Sequence, residues 1–183
     1  PDIFTRINAT ASRKQSWIYY IHNQTCRKFW TLKILTIVVL TSIPAIAPEG
    51  GGDGESKKCD ALEDWLKEKG FENIERFEAP DSRVSSGVRP SLVVTIPGQD
   101  DSQRVWVMAH MDVVPVGDPK LWNTDPWKVI EKNGRLYGRG VEDNQQGLCS
   151  AVFAGLYFIR NKIVPAHTVK LLFAADEENG STY

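Results

Sequence analysis

The sequence predicts an α/β sandwich built on a mostly parallel central sheet. Apolar runs of strand length alternate along it with stretches of helical period. Two of those runs end in chemistry-bearing residues. Val105-Trp106-Val107-Met108-Ala109 leads into His110-Met111-Asp112, and Val169-Lys170-Leu171-Leu172-Phe173-Ala174-Ala175 leads into Asp176-Glu177-Glu178. In open α/β sheets, ligands gather beyond the carboxyl ends of strands.

The elements come in chain order. Ser56 to Lys69 reads as a helix, because Leu62, Trp65 and Leu66 share one face and Gly70 stops it. Phe71 to Phe77 and Ser91 to Ile96 read as strands joined by a polar loop, and Arg104 to Met111 as a third. Lys128 to Tyr137 reads as a hairpin, since Asn133-Gly134 tolerates the positive φ of a tight turn. Asn144 to Asn161 reads as a helix with Leu148, Val152, Leu156 and Ile159 inward. Its Gly147 and Gly155 permit close packing. A buried strand ending at Ala175 closes the series.

Composition narrows the function. The 183 residues can bury one core of ordinary size, and their net charge of −1 draws neither nucleic acid nor an anionic membrane. Cys26, Cys59 and Cys149 are odd in number and contain no Cys-x-x-Cys pair. That speaks against a disulfide framework or a thiolate zinc site, and for a reducing, cytoplasmic setting with buried cysteines. Pro1 to Lys33 is basic and aperiodic, and is expected to be non-native or disordered, outside the domain of residues 34–183. Ile34 to Ala47 has the apolar run and small-residue end of a secretory signal, but Pro44 and Pro48 spoil that pattern. It is also short for a membrane span, so a core helix followed by a loop is the preferred reading. Glu49 to Gly54 is a glycine-rich loop without a phosphate-binding signature.

Candidate chemistry rests on His110, Asp112, Asp143, Glu177 and Glu178. Each alone is commonplace: a surface pair, a helix N-cap or a solvated turn. Their order is more telling, because each falls at a strand end or a helix start. Adjacent acids after a strand can divide labour, since neighbouring side chains point in different directions. Such a set suits a metal-dependent hydrolase. Trp122, Asp125 and Trp127 belong to a loop beside the cleft, anchored by aromatic packing or touching substrate.

From about Leu35 onward the chain resembles the two-zinc aminoacylase, carboxypeptidase and dipeptidase family (peptidase family M20). Four ordered pieces carry the resemblance: Ala109-His110-Met111-Asp112-Val113-Val114-Pro115, Trp122-Asn123-Thr124-Asp125-Pro126-Trp127, Gly134-Arg135-Leu136-Tyr137-Gly138-Arg139-Gly140-Val141-Glu142-Asp143 and Asp176-Glu177-Glu178-Asn179-Gly180-Ser181. It implies a zinc-exopeptidase-like fold, here the N-terminal part of a catalytic domain ending before a lid domain. It further implies His110 and Glu178 as ligands of different metals, Asp143 as the bridging carboxylate, Asp112 as the partner that orients His110, and Glu177 as general base. The two divalent ions would be zinc, with cobalt or manganese as alternatives. A cis peptide after Asp143 is also implied.

The resemblance further implies an acidic ligand and a distant histidine beyond Tyr183, a role that His167, before the last strand, does not fill. Three activities stay open: a peptidase or dipeptidase acting on small peptides, an N-acyl amino acid deacylase of the succinyl-diaminopimelate or acetylornithine type, and a non-catalytic relic. The full-length protein is expected to be a homodimer. This chain alone is expected to bind metal weakly and turn over little.

Overall fold

In the computed structural model, which describes residues 31–183, a helix over residues 31–41 (α1) opens the described chain. The expectation for residues 1–33 lies outside the described residues except at its last three positions, which are helical. Ile37 and Leu40 of α1 are buried, as are Ala45 and Ala47 in the extended stretch after it. The Ala45 carbonyl accepts a hydrogen bond from Val113 N–H (2.9 Å), so this stretch is laid beside the His110–Val113 segment. A core helix followed by a loop is therefore what the signal-like run becomes. Among the described residues, no helix is long and apolar enough to cross a membrane.

Helix α2 (Ser56–Glu68) is followed by strands β1 (Ile74–Pro80), β2 (Val88–Ile96) and β3 (Asp100–His110). A short hairpin, β4 (Ile130–Lys132) and β5 (Arg135–Tyr137), turns at Asn133 and Gly134, both at positive φ as the sequence demands. An irregular turn, Val141–Gln146, leads into α3 (Gly147–Asn161), and β6 (His167–Ala174) completes the sheet. Thr36–Tyr183 is one compact unit.

The sheet order is β1-β2-β6-β3. The α/β class is the expected one, but across these four strands the sheet is mixed rather than mostly parallel. β1–β2 and β2–β6 run antiparallel, and only β3–β6 is parallel. The connections explain this. β1 and β2 are joined by a tight turn over residues 81–87, whereas only β3 and β6 are linked through a helix, the connection that parallel neighbours require. β6 inserts between β2 and β3, so the short loop 97–99 must pass its first residues. A Cβ at Gly98 would come within 2.2 Å of the His167 carbonyl carbon, so only glycine fits there.

Helices α2 and α3 meet through Trp65 and Phe153, whose ring centroids lie 6.0 Å apart. Gly155 lets α3 approach the sheet, since a Cβ there would meet Ile96 and Leu171 at 3.0 Å. Leu62, Leu66, Leu92, Val94, Leu148, Val152, Leu156, Leu171 and Phe173 form the core between these layers. Cys59 and Cys149 are buried among them, as expected, and Cys26 lies outside the described residues. Among the described residues β3 has a strand neighbour on one side only, and Val105, Trp106, Val107 and Met108 are all exposed on it.

Candidate active site

The parallel pair β3–β6 builds the site. His110 and Ala174 stand opposite each other in the register, and Met111 N–H continues the ladder to the Ala174 carbonyl (2.9 Å). Both strands therefore run out at one edge of the sheet, which is where the sequence places its acids. Beyond β3 the chain stays buried through Met111, Asp112 and Val113. Beyond β6 it turns sharply at Asp176 (φ +60°) into a short 3₁₀ turn, Glu177–Asn179.

His110 is nearly buried, and both ring nitrogens are engaged. Its Nδ1 lies 3.1 Å from the Asp112 main-chain oxygen and 3.2 Å from Asp112 Oδ1. Its Nε2 lies 3.0 Å from Asp143 Oδ1 and 3.8 Å from Glu177 Oε2. Burial alone would lower the imidazole's basicity. The hydrogen bond and charge of Asp112, with help from Asp143, outweigh it and raise the pKa to about 9.

Asp112 is fully buried, and its other oxygen accepts the Glu178 backbone N–H at 2.9 Å. Burial pushes this carboxyl up, but His110 and the N–H groups of the 177–178 turn prevail and hold it below the usual carboxylate range. One side chain thus ties the end of β3 to the turn after β6.

Asp143 reaches the site from the irregular turn rather than from a helix N-terminus. Its φ and ψ (−113°, 96°) are non-helical, and the Asp143–Asn144 peptide bond is cis. The expectation that Asp143 opens the long helix is corrected accordingly, since α3 begins four residues later. The cis bond is the one the resemblance implies.

One donor atom each from His110, Asp143 and Glu178 lie within 4.8 Å of one another. Glu177, half exposed, stands beside them. Burial raises the Glu178 pKa above its ordinary value, and the nearby Asp143 charge adds to that effect. An imidazole and two carboxylates without thiolate suit zinc, cobalt or manganese. Four carboxylates crowd one imidazole here, so a bound cation would relieve their mutual repulsion. The donor set fits a divalent metal.

The remaining expected positions are peripheral or distant. Trp122 anchors its loop, donating from Nε1 to the Val116 carbonyl (2.9 Å) and lying under the Arg139 guanidinium. Asp125 accepts the Trp127 backbone N–H at 2.9 Å. Trp122 also lines an open cleft of about 740 Å³ with Leu136, Tyr137 and Glu142, next to Asp143 in the chain. His167 stands at the far end of β6, 3.4 Å from Asp100, well away from the site.

Sequence reasoning missed the buried ions behind the site. Lys58 is almost fully buried and donates to the Met111 carbonyl at 3.0 Å. Burial pulls its pKa down to about 8, opposed by the charges of Asp112 and Glu55. A signal was present, since Lys58, Leu62 and Leu66 are spaced four apart on one helical stripe. Arg89, Glu55 and Asp176 are also buried, and no period in the sequence marks them.

Fold and site together define an α/β scaffold carrying a candidate divalent-metal centre, and comparison with known proteins gives its kinship. Residues 106–183 match the family described as peptidase family M20/M25/M40. Over 150 residues the chain is 39% identical to an uncharacterized metallohydrolase of Methanococcus maripaludis, covering 79% of this chain and 35% of that protein. A succinyl-diaminopimelate desuccinylase of Rickettsia bellii is 29% identical over 140 residues, 76% of this chain and 33% of that enzyme. Human carnosine dipeptidase 1 shares the fold at a TM-score of 0.69 and 20% identity, over 87% of this chain and 35% of that one. The chain belongs to peptidase family M20. It spans about a third of the length of these relatives.

Proposed function

We propose that the protein hydrolyses an amide bond of a small peptide, using two divalent metal ions, with zinc the best match to the donors. The convergence of His110, Asp143 and Glu178 at the carboxyl ends of two parallel strands carries this reading. When bound, such ions lower the pKa of a water toward ~7 and polarise the scissile carbonyl.

The chain's own residues divide the remaining work. Asp112 faces His110 Nδ1, fixing the ring so that Nε2 points into the site. The Asp143 carboxylate, largely exposed and 3.0 Å from that nitrogen, would be the ligand shared between the two ions. Glu178 completes the donor set, its backbone held by Asp112. Glu177 is the general base. It takes a proton from the attacking water and returns it to the leaving amine.

A second reading within the same chemistry is an N-acyl amino acid deacylase, supported by the 29% identity to a desuccinylase. The proposed enzyme is cytoplasmic, in keeping with the buried free thiols Cys59 and Cys149, and a homodimer at full length. His110, Asp143 and Glu178 do not fill the shells of two ions by themselves. This chain alone should therefore bind metal weakly and turn over little.

Zinc titration by calorimetry on the chain and on Asp143→Ala tests the metal site. Measurable binding that disappears in the variant supports the reading, and equal binding by both removes Asp143 from it. Parallel assays of dipeptides and of succinyl-diaminopimelate separate the two activities.

A further inference from the structure

We infer that Arg89 is the positioning residue for the Glu177-Glu178 turn. The inference rests on the metal-site reading above and adds a residue from outside the motifs that define it. Arg89 lies on β2, a strand that contributes nothing directly to the site, and its side chain is completely buried. Its Nε and Nη2 grip the two oxygens of Glu55, each at 2.5 Å. The same Nη2 also reaches Asp176 Oδ1 at 3.1 Å. Nη1 lies 3.6 Å from Asp81 Oδ2. Glu55 thus holds the fork in one orientation, and the fork presents a donor to Asp176.

Asp176 is the hinge between β6 and the acid pair. It is a non-glycine residue at positive φ, and asparagine and aspartate are the side-chain-bearing residues that best tolerate this region. Its Oδ2 accepts the Thr182 N–H at 3.0 Å, and its carbonyl accepts the Ser181 N–H at 2.8 Å. The carboxylate therefore closes the loop 176–182 on itself while Arg89 fixes that carboxylate from below. A second tie, Glu178 N–H to Asp112, fixes the loop on the side of the metal ligands. With both ties in place the Glu178 carboxylate and the Glu177 base keep their separation from His110. Without the first, the second holds the loop less firmly.

The guanidinium matters for its shape. A planar fork can satisfy Glu55 and Asp176 together, whereas a lysine ammonium supplies charge without that geometry. Arg89→Lys keeps the buried charge balance, and Glu55→Gln/Arg89→Met removes a cation and an anion together, leaving only Asp176, which still accepts the Thr182 N–H, without its cation. Zinc affinity is measured by calorimetry in each. Amide hydrogen exchange at Glu178 and Thr182 is followed by NMR in chelator.

The expected result is a folded variant with zinc affinity about tenfold weaker, the size usual when a partner behind the ligands is lost, and faster exchange at both amides. Either variant folded, with unchanged zinc affinity and unchanged protection of both amides, overturns the inference. If the wild-type chain binds no zinc, the metal-site reading fails instead, and the exchange data alone decide the role of Arg89: protection unchanged in both variants rejects it, and protection lost at Thr182 and Glu178 supports it.

Discussion

Two charged clusters a few residues apart show opposite electrostatic designs. Behind the site, Arg89 is matched against Glu55, Asp176 and Asp81, out of contact with solvent. At the site, Asp112, Asp143, Glu177 and Glu178 face one imidazole, and two of these acids are half or more exposed. In the first cluster each carboxylate meets a fixed cation or N–H of the protein itself. In the proposed function the second is completed by a cation from solution. Buried ion pairs add little net stability but fix geometry, and breaking one strands the other charge. On that proposal the difference separates a part that holds position from a part that would do chemistry.

That contrast can be tested from its strongest consequence to its weakest. Glu177→Gln should remove about 10²–10⁴-fold of whatever amide hydrolysis the protein supports. Zinc content by atomic absorption should stay at the wild-type level. Loss of metal together with activity would make Glu177 a ligand instead. Arg89→Met alone, which strands Glu55 and Asp176, should lower unfolding stability by about 3–5 kcal/mol in urea. Asp143→Ala should do the reverse in chelator: with one repelling carboxylate gone, stability should hold or rise slightly, while zinc binding falls away.

The smallest expected effect is a pH dependence. In the metal-free chain the His110 pKa is raised from 6.5 to about 9 by its carboxylate partners. Folding therefore favours the bound proton. That contribution is present in full below about pH 6.5 and is lost as pH rises through about 9. The gap in urea midpoint between the wild type and His110→Gln should accordingly narrow across that window. A constant gap from pH 6 to pH 10 would remove the ion-pair account of His110.

Legibility in the sequence differs between the two clusters. His110, Asp112, Glu177 and Glu178 are readable because they end or follow apolar strands, which must deliver their next residues to the sheet edge, whereas Asp143 lies on an irregular turn that no period marks. The Asn133-Gly134 turn is readable from backbone chemistry alone. The buried cluster is not, apart from the stripe that includes Lys58. Arg89 reads as a surface residue of the polar loop before Ser91, since burying a charge is favourable only beside a partner. Here those partners, Glu55 and Asp176, lie 34 and 87 positions away. Strand pairing is hidden for a similar reason. Period reveals which face of a strand is buried, not that β6 separates β2 from β3.

The open side of β3 carries a practical consequence. Among the described residues one edge of β3 pairs with no strand, and with Val105, Trp106, Val107 and Met108 exposed on it that edge is a template for pairing with another strand. Concentration therefore becomes a variable in each of these measurements. Dilution series by light scattering should show self-association growing with protein concentration, and Trp106→Lys should suppress it without touching His110, four residues further along.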